Sequence, residues 1–138
     1  MREVSGGLEC LEAVVEAIVE ILPDSGVVIL QGDLAAGKTT LTQAFARFLK
    51  LEDSVTSPTF SLQQCYGEKL FHYDIYNHGL EHFLSLGMFE ELEKEGYHLI
   101  EWGDEALTKL LKSALIETAV VKITKIEGDK RLYRIEHA

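Results

Sequence analysis

The sequence predicts a single α/β domain, residues 1–138, with a mixed parallel and antiparallel sheet flanked by helices and ending in a β-hairpin. Three observations predict it. Val27–Leu30 is short, apolar and largely β-branched, and it leads through a glycine-bounded loop to Leu41, Ala44, Phe45, Phe48 and Leu49, apolar at helical spacing; that is the strand–loop–helix order of a parallel unit. Tyr97–Ile100 is a second apolar run of strand length. Residues 119–126 and 131–136 alternate apolar and polar around Gly128-Asp129, as the two arms of a hairpin do.

Composition agrees and narrows the function. A chain of 138 residues suits one domain, and 46% apolar with 26% charged residues is ordinary for a globular core. Acidic side chains outnumber basic ones 23 to 13, a net charge of −10. That charge repels a polyphosphate backbone and argues against tight, independent nucleic-acid binding. It suits solubility or a basic protein partner. Cys10 and Cys65 have no spacing that suggests a disulfide framework or a zinc site. With no secretory leader pattern and no apolar run of spanning length, the expected location is cytoplasmic, away from the membrane.

Taken in order, residues 8–22 place Leu8, Leu11, Val14, Val15, Ile18, Val19, Ile21 and Leu22 against Glu9, Glu12, Glu16 and Glu20, an amphipathic helix with an acidic face. Pro23-Asp24-Ser25-Gly26 ends it. The strand–loop–helix unit runs from Val27 to about Leu49, and residues 51–59 read as a loop. Phe60–Tyr66 and Leu70–Tyr73 flank Gly67-Glu68 as a hairpin, and Asp74–Gly79 reads as a loop. Leu80–Leu86 and Met88–Glu95 read as two short helices broken at Gly87. The strand Tyr97–Ile100 ends in Glu101-Trp102, and Asp104 caps a helix carrying Ala106, Leu107, Leu110 and Leu111.

The loop is the most informative stretch. Gly32-Asp33-Leu34-Ala35-Ala36-Gly37-Lys38-Thr39-Thr40 fits G-x-x-x-x-G-K-[ST] at every required position, which makes the predicted fold P-loop NTPase-like. Main-chain N–H groups at such a loop and helix start face phosphate oxygens, and the helix dipole favours their charge. Lys38 is placed to neutralise the β- and γ-phosphates and the Thr39 hydroxyl to meet Mg²⁺.

An acid at the end of a strand beside the loop usually holds the metal, directly or through water. Asp74 and Glu101 both qualify if their strands run parallel to Val27–Leu30, and the sequence does not rank them. Asp74 also reads as a turn or capping residue, and Glu101 as a solvated strand end. Thr59 has a hydroxyl that suits a γ-phosphate sensor but equally a turn beside Pro58. Trp102, the only tryptophan, suits stacking or core packing. His78 and His82 read as surface residues, and His72 as a hydrogen-bonded core or edge residue. The only arginines are Arg2, Arg47, Arg131 and Arg134. None lies in an obvious lid of the kind that clamps a transferring phosphoryl group, so hydrolysis should be slow unless a partner completes the site.

Gly32–Thr40, then Ser57-Pro58-Thr59-Phe60, His72-Tyr73-Asp74-Ile75-Tyr76 and Ile100-Glu101-Trp102 together resemble the TsaE (formerly YjeE) family, small bacterial ATPases of tRNA threonylcarbamoyladenosine (t6A) biosynthesis. The resemblance spans about Val27 to Trp102. It implies ATP and Mg²⁺ as ligands, with Lys38 and Thr39 as phosphate and metal contacts and Thr59 as a switch-type threonine. Asp74 resembles the functionally required acid of the His-x-Asp-x-Tyr motif, Glu101 the metal-associated glutamate, and Trp102 the tryptophan near the nucleotide. It also implies action with a TsaD–TsaB complex, which ATP hydrolysis resets, and contact with tRNA only through that complex. Two positions depart from the family's usual pattern. Ala35 stands where Gly is common, which narrows the loop's allowed conformations. Asn77 follows Tyr76 where Arg is usual, which removes a charge. A small-molecule kinase and a nucleotide-gated binding module are the other readings.

Overall fold

A computed structural model describes residues 2–32, 38–50, 55–56, 63–67, 69–74, 79–85, 87–101 and 105–138. In chain order the elements are β1 (Arg2–Gly6), one turn of 3-10 helix (Leu8–Cys10), α1 (Leu11–Ile21), β2 (Gly26–Gln31), α2 (Lys38–Phe48), β3 (Val55–Thr56), β4 (Gln63–Tyr66), β5 (Leu70–Asp74), α3 (Gly79–Ser85), α4 (Met88–Glu91), β6 (Tyr97–Glu101), α5 (Glu105–Ser113), β7 (Thr118–Lys125) and β8 (Arg131–His137).

Among the described residues the strands form one eight-stranded sheet in the order β1-β8-β7-β2-β6-β5-β4-β3. β2 pairs in parallel with β6 on one side and β7 on the other, and β5 pairs in parallel with β6. The remaining pairings, β1–β8, β7–β8, β4–β5 and β3–β4, are antiparallel. The sheet is therefore parallel at its centre and antiparallel at both edges, as the mixed prediction requires.

The apolar run of β2 follows from burial on both faces, since successive side chains point to opposite sides of a strand. Val28 and Leu30 join Leu99, Ala119 and Val121 in a core with Val14, Val15 and Ile18 of α1 and Leu41 and Phe45 of α2. Val27 and Ile29 join Phe71, Tyr73 and Ile100 in a second core with Phe83 of α3, Met88 of α4 and Leu107 and Leu111 of α5. Tyr97 ties the first layer together: its ring lies 5.0 Å from that of Phe45, and its hydroxyl donates to the Leu22 carbonyl at 2.6 Å.

Several boundaries differ from the sequence reading. The first helix begins as a 3-10 turn and becomes α-helical only at Leu11. β1 was not anticipated: its pattern is mostly exposed, and only Val4 packs against the core. What seats it is pairing with β8, where Glu3 stands opposite Arg134 and accepts from its Nε at 2.9 Å. The span 51–59 is not all loop, because Val55 and Thr56 pair with Tyr66 and Cys65; a two-residue strand is too short to leave a periodic signal. Asp74 closes β5 and Gly79 opens α3, so neither belongs to a loop. The helix expected over Met88–Glu95 ends at Glu91. The β4–β5 and β7–β8 hairpins form as expected, while residues 60–62, 77, 78 and 104 lie outside the described residues.

Candidate nucleotide site

β2 carries the chain to Gly32, and α2 carries it away from Lys38. Gly32 has φ 154°, a value side chains disfavour, which accounts for glycine as the first residue of the loop. Asp33, Leu34, Ala35, Ala36 and Gly37 lie outside the described residues. Lys38, Thr39 and Thr40 form the first turn of α2, with the side chains of Lys38 and Thr39 likewise outside the description. Their backbone position is the helix start at which anions are favoured. Thr59 and Trp102 are also outside it.

The two acids are placed by the sheet. β5 and β6 run parallel to β2, so Asp74 and Glu101 stand at carboxyl ends on the loop side. Leu30 pairs with Glu101 and Glu101 with Asp74, giving one row across three adjacent strands. With strands about 4.8 Å apart, Glu101 is one strand from β2 and Asp74 two. Both lie on the face that α2 covers, because Leu99, two residues before Glu101, and Leu70, four before Asp74, pack into the α1–α2 core.

Their surroundings differ. Asp74 is exposed, whereas Glu101 is buried at 6% exposure, which removes the reading of Glu101 as a solvated strand end. Burial of a carboxylate calls for a partner. His72, buried on β5, supplies one: its Nε2 hydrogen-bonds Glu101 Oε2. The sequence reading had His72 as a hydrogen-bonded core or edge residue and missed that its partner is the candidate metal acid. The His-x-Asp spacing puts His72 on the same face as Asp74, since residues two apart on a strand share a face, but the pairing with Glu101 needs the β5–β6 register. Glu101 also reaches β4, where burial and then the Glu101 charge raise the Tyr66 phenol above its ordinary range.

On the opposite face of β5 and β6 lies a second polar network. Tyr73 donates to His98 Nδ1 at 2.8 Å, His98 Nε2 donates to the Lys94 carbonyl at 2.8 Å, and Gln63 donates to both Tyr73 and Glu91 at 3.2 Å. It backs the strands that carry the acids.

The donors present fit Mg²⁺. They are carboxylate oxygens, one buried and one exposed, at the same end of adjacent strands, and Mg²⁺ bound with a nucleotide takes only one or two protein carboxylates. The arginines stand elsewhere: Arg2 pairs with Glu20 at 2.7 Å, Arg134 with Glu3, and Arg131 opens β8. Arg47 occupies the last turn of α2, roughly 14 Å along the helix axis from Lys38.

The fold defines a single α/β domain with a mixed sheet, and its β2-to-α2 junction carries the G-x-x-x-x-G-K-[ST] sequence. A sequence model of the family described as "Threonylcarbamoyl adenosine biosynthesis protein TsaE" matches residues 7–133. The chain belongs to the TsaE family, proteins of t6A tRNA modification. The tRNA threonylcarbamoyladenosine biosynthesis protein TsaE of Treponema pallidum is 39% identical over 93 residues, 65% of this chain and 69% of that protein. Its counterpart in Rickettsia bellii is 35% identical over 127 residues, 87% and 83% of the two chains. The crystal structure of Bacillus subtilis YdiB superposes with a TM-score of 0.63 at 25% identity, covering 99% of this chain and 86% of that one. Among the described residues no helix is long and apolar enough to cross a membrane.

Proposed function

We propose that this chain binds and hydrolyses ATP as an accessory subunit of the t6A machinery, acting in the cytoplasm with a TsaD–TsaB complex and meeting tRNA only through it. The observation that carries the reading is Glu101, buried at the carboxyl end of the strand beside β2 and in one row with Asp74. Family membership supports the pathway.

In this reading the main-chain amides of 32–40 and the Lys38 ammonium hold the triphosphate and meet the charge that builds up as water attacks the γ-phosphorus. Thr39 and Glu101 would hold Mg²⁺, which would offset the negative charge of the triphosphate. Asp74, exposed at the end of the row, orients or deprotonates the attacking water. Thr59 senses the γ-phosphate, and Trp102 lies against the nucleotide. The lone chain lacks an arginine clamp in its P-loop unit, so its turnover is low and a partner completes the site.

ATP turnover by the protein alone and with added TsaD–TsaB tests this. A clear rise with the complex is expected, and equal rates would refute the missing-component argument. A phosphoryl acceptor that raises turnover far above the water reaction would favour the kinase reading. Continued modification over many cycles with a Glu101→Ala protein that still binds ATP would favour the gated binding module.

A further inference from the structure

We propose that His72 is a positioning residue for this site, setting through Glu101 where that carboxylate stands toward the cation that accompanies a bound triphosphate. The inference rests on the nucleotide reading above and adds a residue to it.

The geometry is specific. His72 pairs with Leu99 in the β5–β6 ladder, two residues before the Asp74–Glu101 pair. His72 and Glu101 thus share a face of adjacent strands, and their side chains are 10% and 8% exposed. An ionised carboxylate can only accept, so His72 Nε2 carries the hydrogen and donates it. Without that bond the Glu101 side chain has three rotatable torsions and a buried charge to satisfy; with it, Oε2 is tied to a rigid β-strand. Holding one oxygen of a carboxylate fixes the direction of the other. This is how hydrogen bonds behind a ligating group tune metal affinity, and losing one typically costs about 10–100-fold. Asp74, exposed on the same row, has no such burial to immobilise it. A merely structural His72 would satisfy a buried acid and support folding, without altering what a cation gains at the site.

The two roles separate in a binding experiment. Affinity for a non-hydrolysable ATP analogue is measured with Mg²⁺ and with EDTA, and the ratio is the gain due to the metal. It is compared in the wild type, His72→Leu, His72→Gln, Glu101→Gln and the double variant His72→Leu/Glu101→Gln, with thermal melts to check folding. Glutamine keeps an N–H donor of similar reach. The neutral Glu101→Gln background removes the buried charge that would otherwise destabilise His72→Leu. The expected result is a loss of about 10–100-fold in the metal gain for His72→Leu, most of it restored in His72→Gln. No further loss is expected when His72→Leu is added to Glu101→Gln. An unchanged gain in His72→Leu, or an equal loss in the Glu101→Gln background, overturns the proposal. A wild type that binds the analogue under neither condition would bring down the nucleotide reading and this inference with it.

Discussion

Mild acid should destabilise this protein through His98, in a window separate from that of its carboxylates. The ring is wholly buried on β6, with Phe71 stacked on it at a centroid distance of 4.7 Å. Nε2–H donates to the Lys94 carbonyl, which leaves Nδ1 to accept from Tyr73. The Tyr73 oxygen already receives the Gln63 amide at 3.2 Å, so a proton on Nδ1 would set donor against donor. Burial accordingly pulls the imidazole below its ordinary range, with the Lys94 carbonyl and the Glu91 charge opposing. The unfolded chain protonates this histidine near its ordinary value of 6.5 while the folded chain does not. Between the folded value and 6.5 the unfolded state holds more protons, so stability falls as pH falls, by up to about 1.4 kcal/mol per unit. Glu91 loses its contribution only lower. Burial works against its charge, but hydrogen bonds from Lys94 and Gln63 hold its carboxyl below 4.5. The assay is urea unfolding from pH 8 to 5 for the wild type and His98→Gln, whose amide offers both a donor and an acceptor. The rest of the chain is common to both proteins, so its contribution cancels in the difference. Stability should decline more steeply below pH 6.5 in the wild type than in the variant. Parallel curves would mean that His98 takes up its proton in the folded state without cost, and the argument from bond direction would be wrong.

Two further outcomes are expected. Lys38→Ala should weaken ATP binding and abolish activity in a reconstituted modification assay; ATP affinity equal to wild type by calorimetry would contradict the phosphate contact. Gly96→Ala should destabilise the fold, because Gly96 has φ 128° and a Cβ there would lie 2.7 Å from the Lys69 carbonyl oxygen, itself held by Tyr97 N–H at 2.8 Å. The backbone conformation alone is worth about 1–3 kcal/mol, read as a lower urea midpoint, and an unmoved midpoint would refute the assignment.

Much of the parallel core was legible because its signals are local. Val27–Leu30 is apolar throughout and Tyr97–Ile100 is so except at His98, as suits strands buried on both faces, and Gly32 with Lys38-Thr39 marks a strand-to-helix junction that the structure contains. Illegible were features that exist only through pairing. β1 is held by Glu3–Arg134 and by contacts with a strand more than a hundred residues away. β3 exists because Val55 and Thr56 pair with Tyr66 and Cys65 of β4. The same holds for the candidate site. Asp74 and Glu101 could be named from sequence but not ranked, since ranking needs the order β2-β6-β5. His72 could not be joined to Glu101 until the two strands were known to be neighbours in register.

On the proposed nucleotide reading, that register also divides the work between the acids. A cation held with a triphosphate at the loop needs an ionised carboxylate close to β2 and fixed in place, because Mg²⁺ demands near-ideal octahedral geometry. Glu101, one strand away, buried and tied to His72, meets that need. A group that handles an attacking water needs solvent access instead, and Asp74, two strands out and exposed, has it. Were the two exchanged, the buried position would carry the shorter side chain, which cannot reach His72 Nε2 from the same backbone site, and the exposed one the longer and more mobile. On this argument Glu101→Asp should lose most of the metal-dependent gain in nucleotide affinity while Asp74→Glu keeps it, because only the first change breaks a fixed carboxylate.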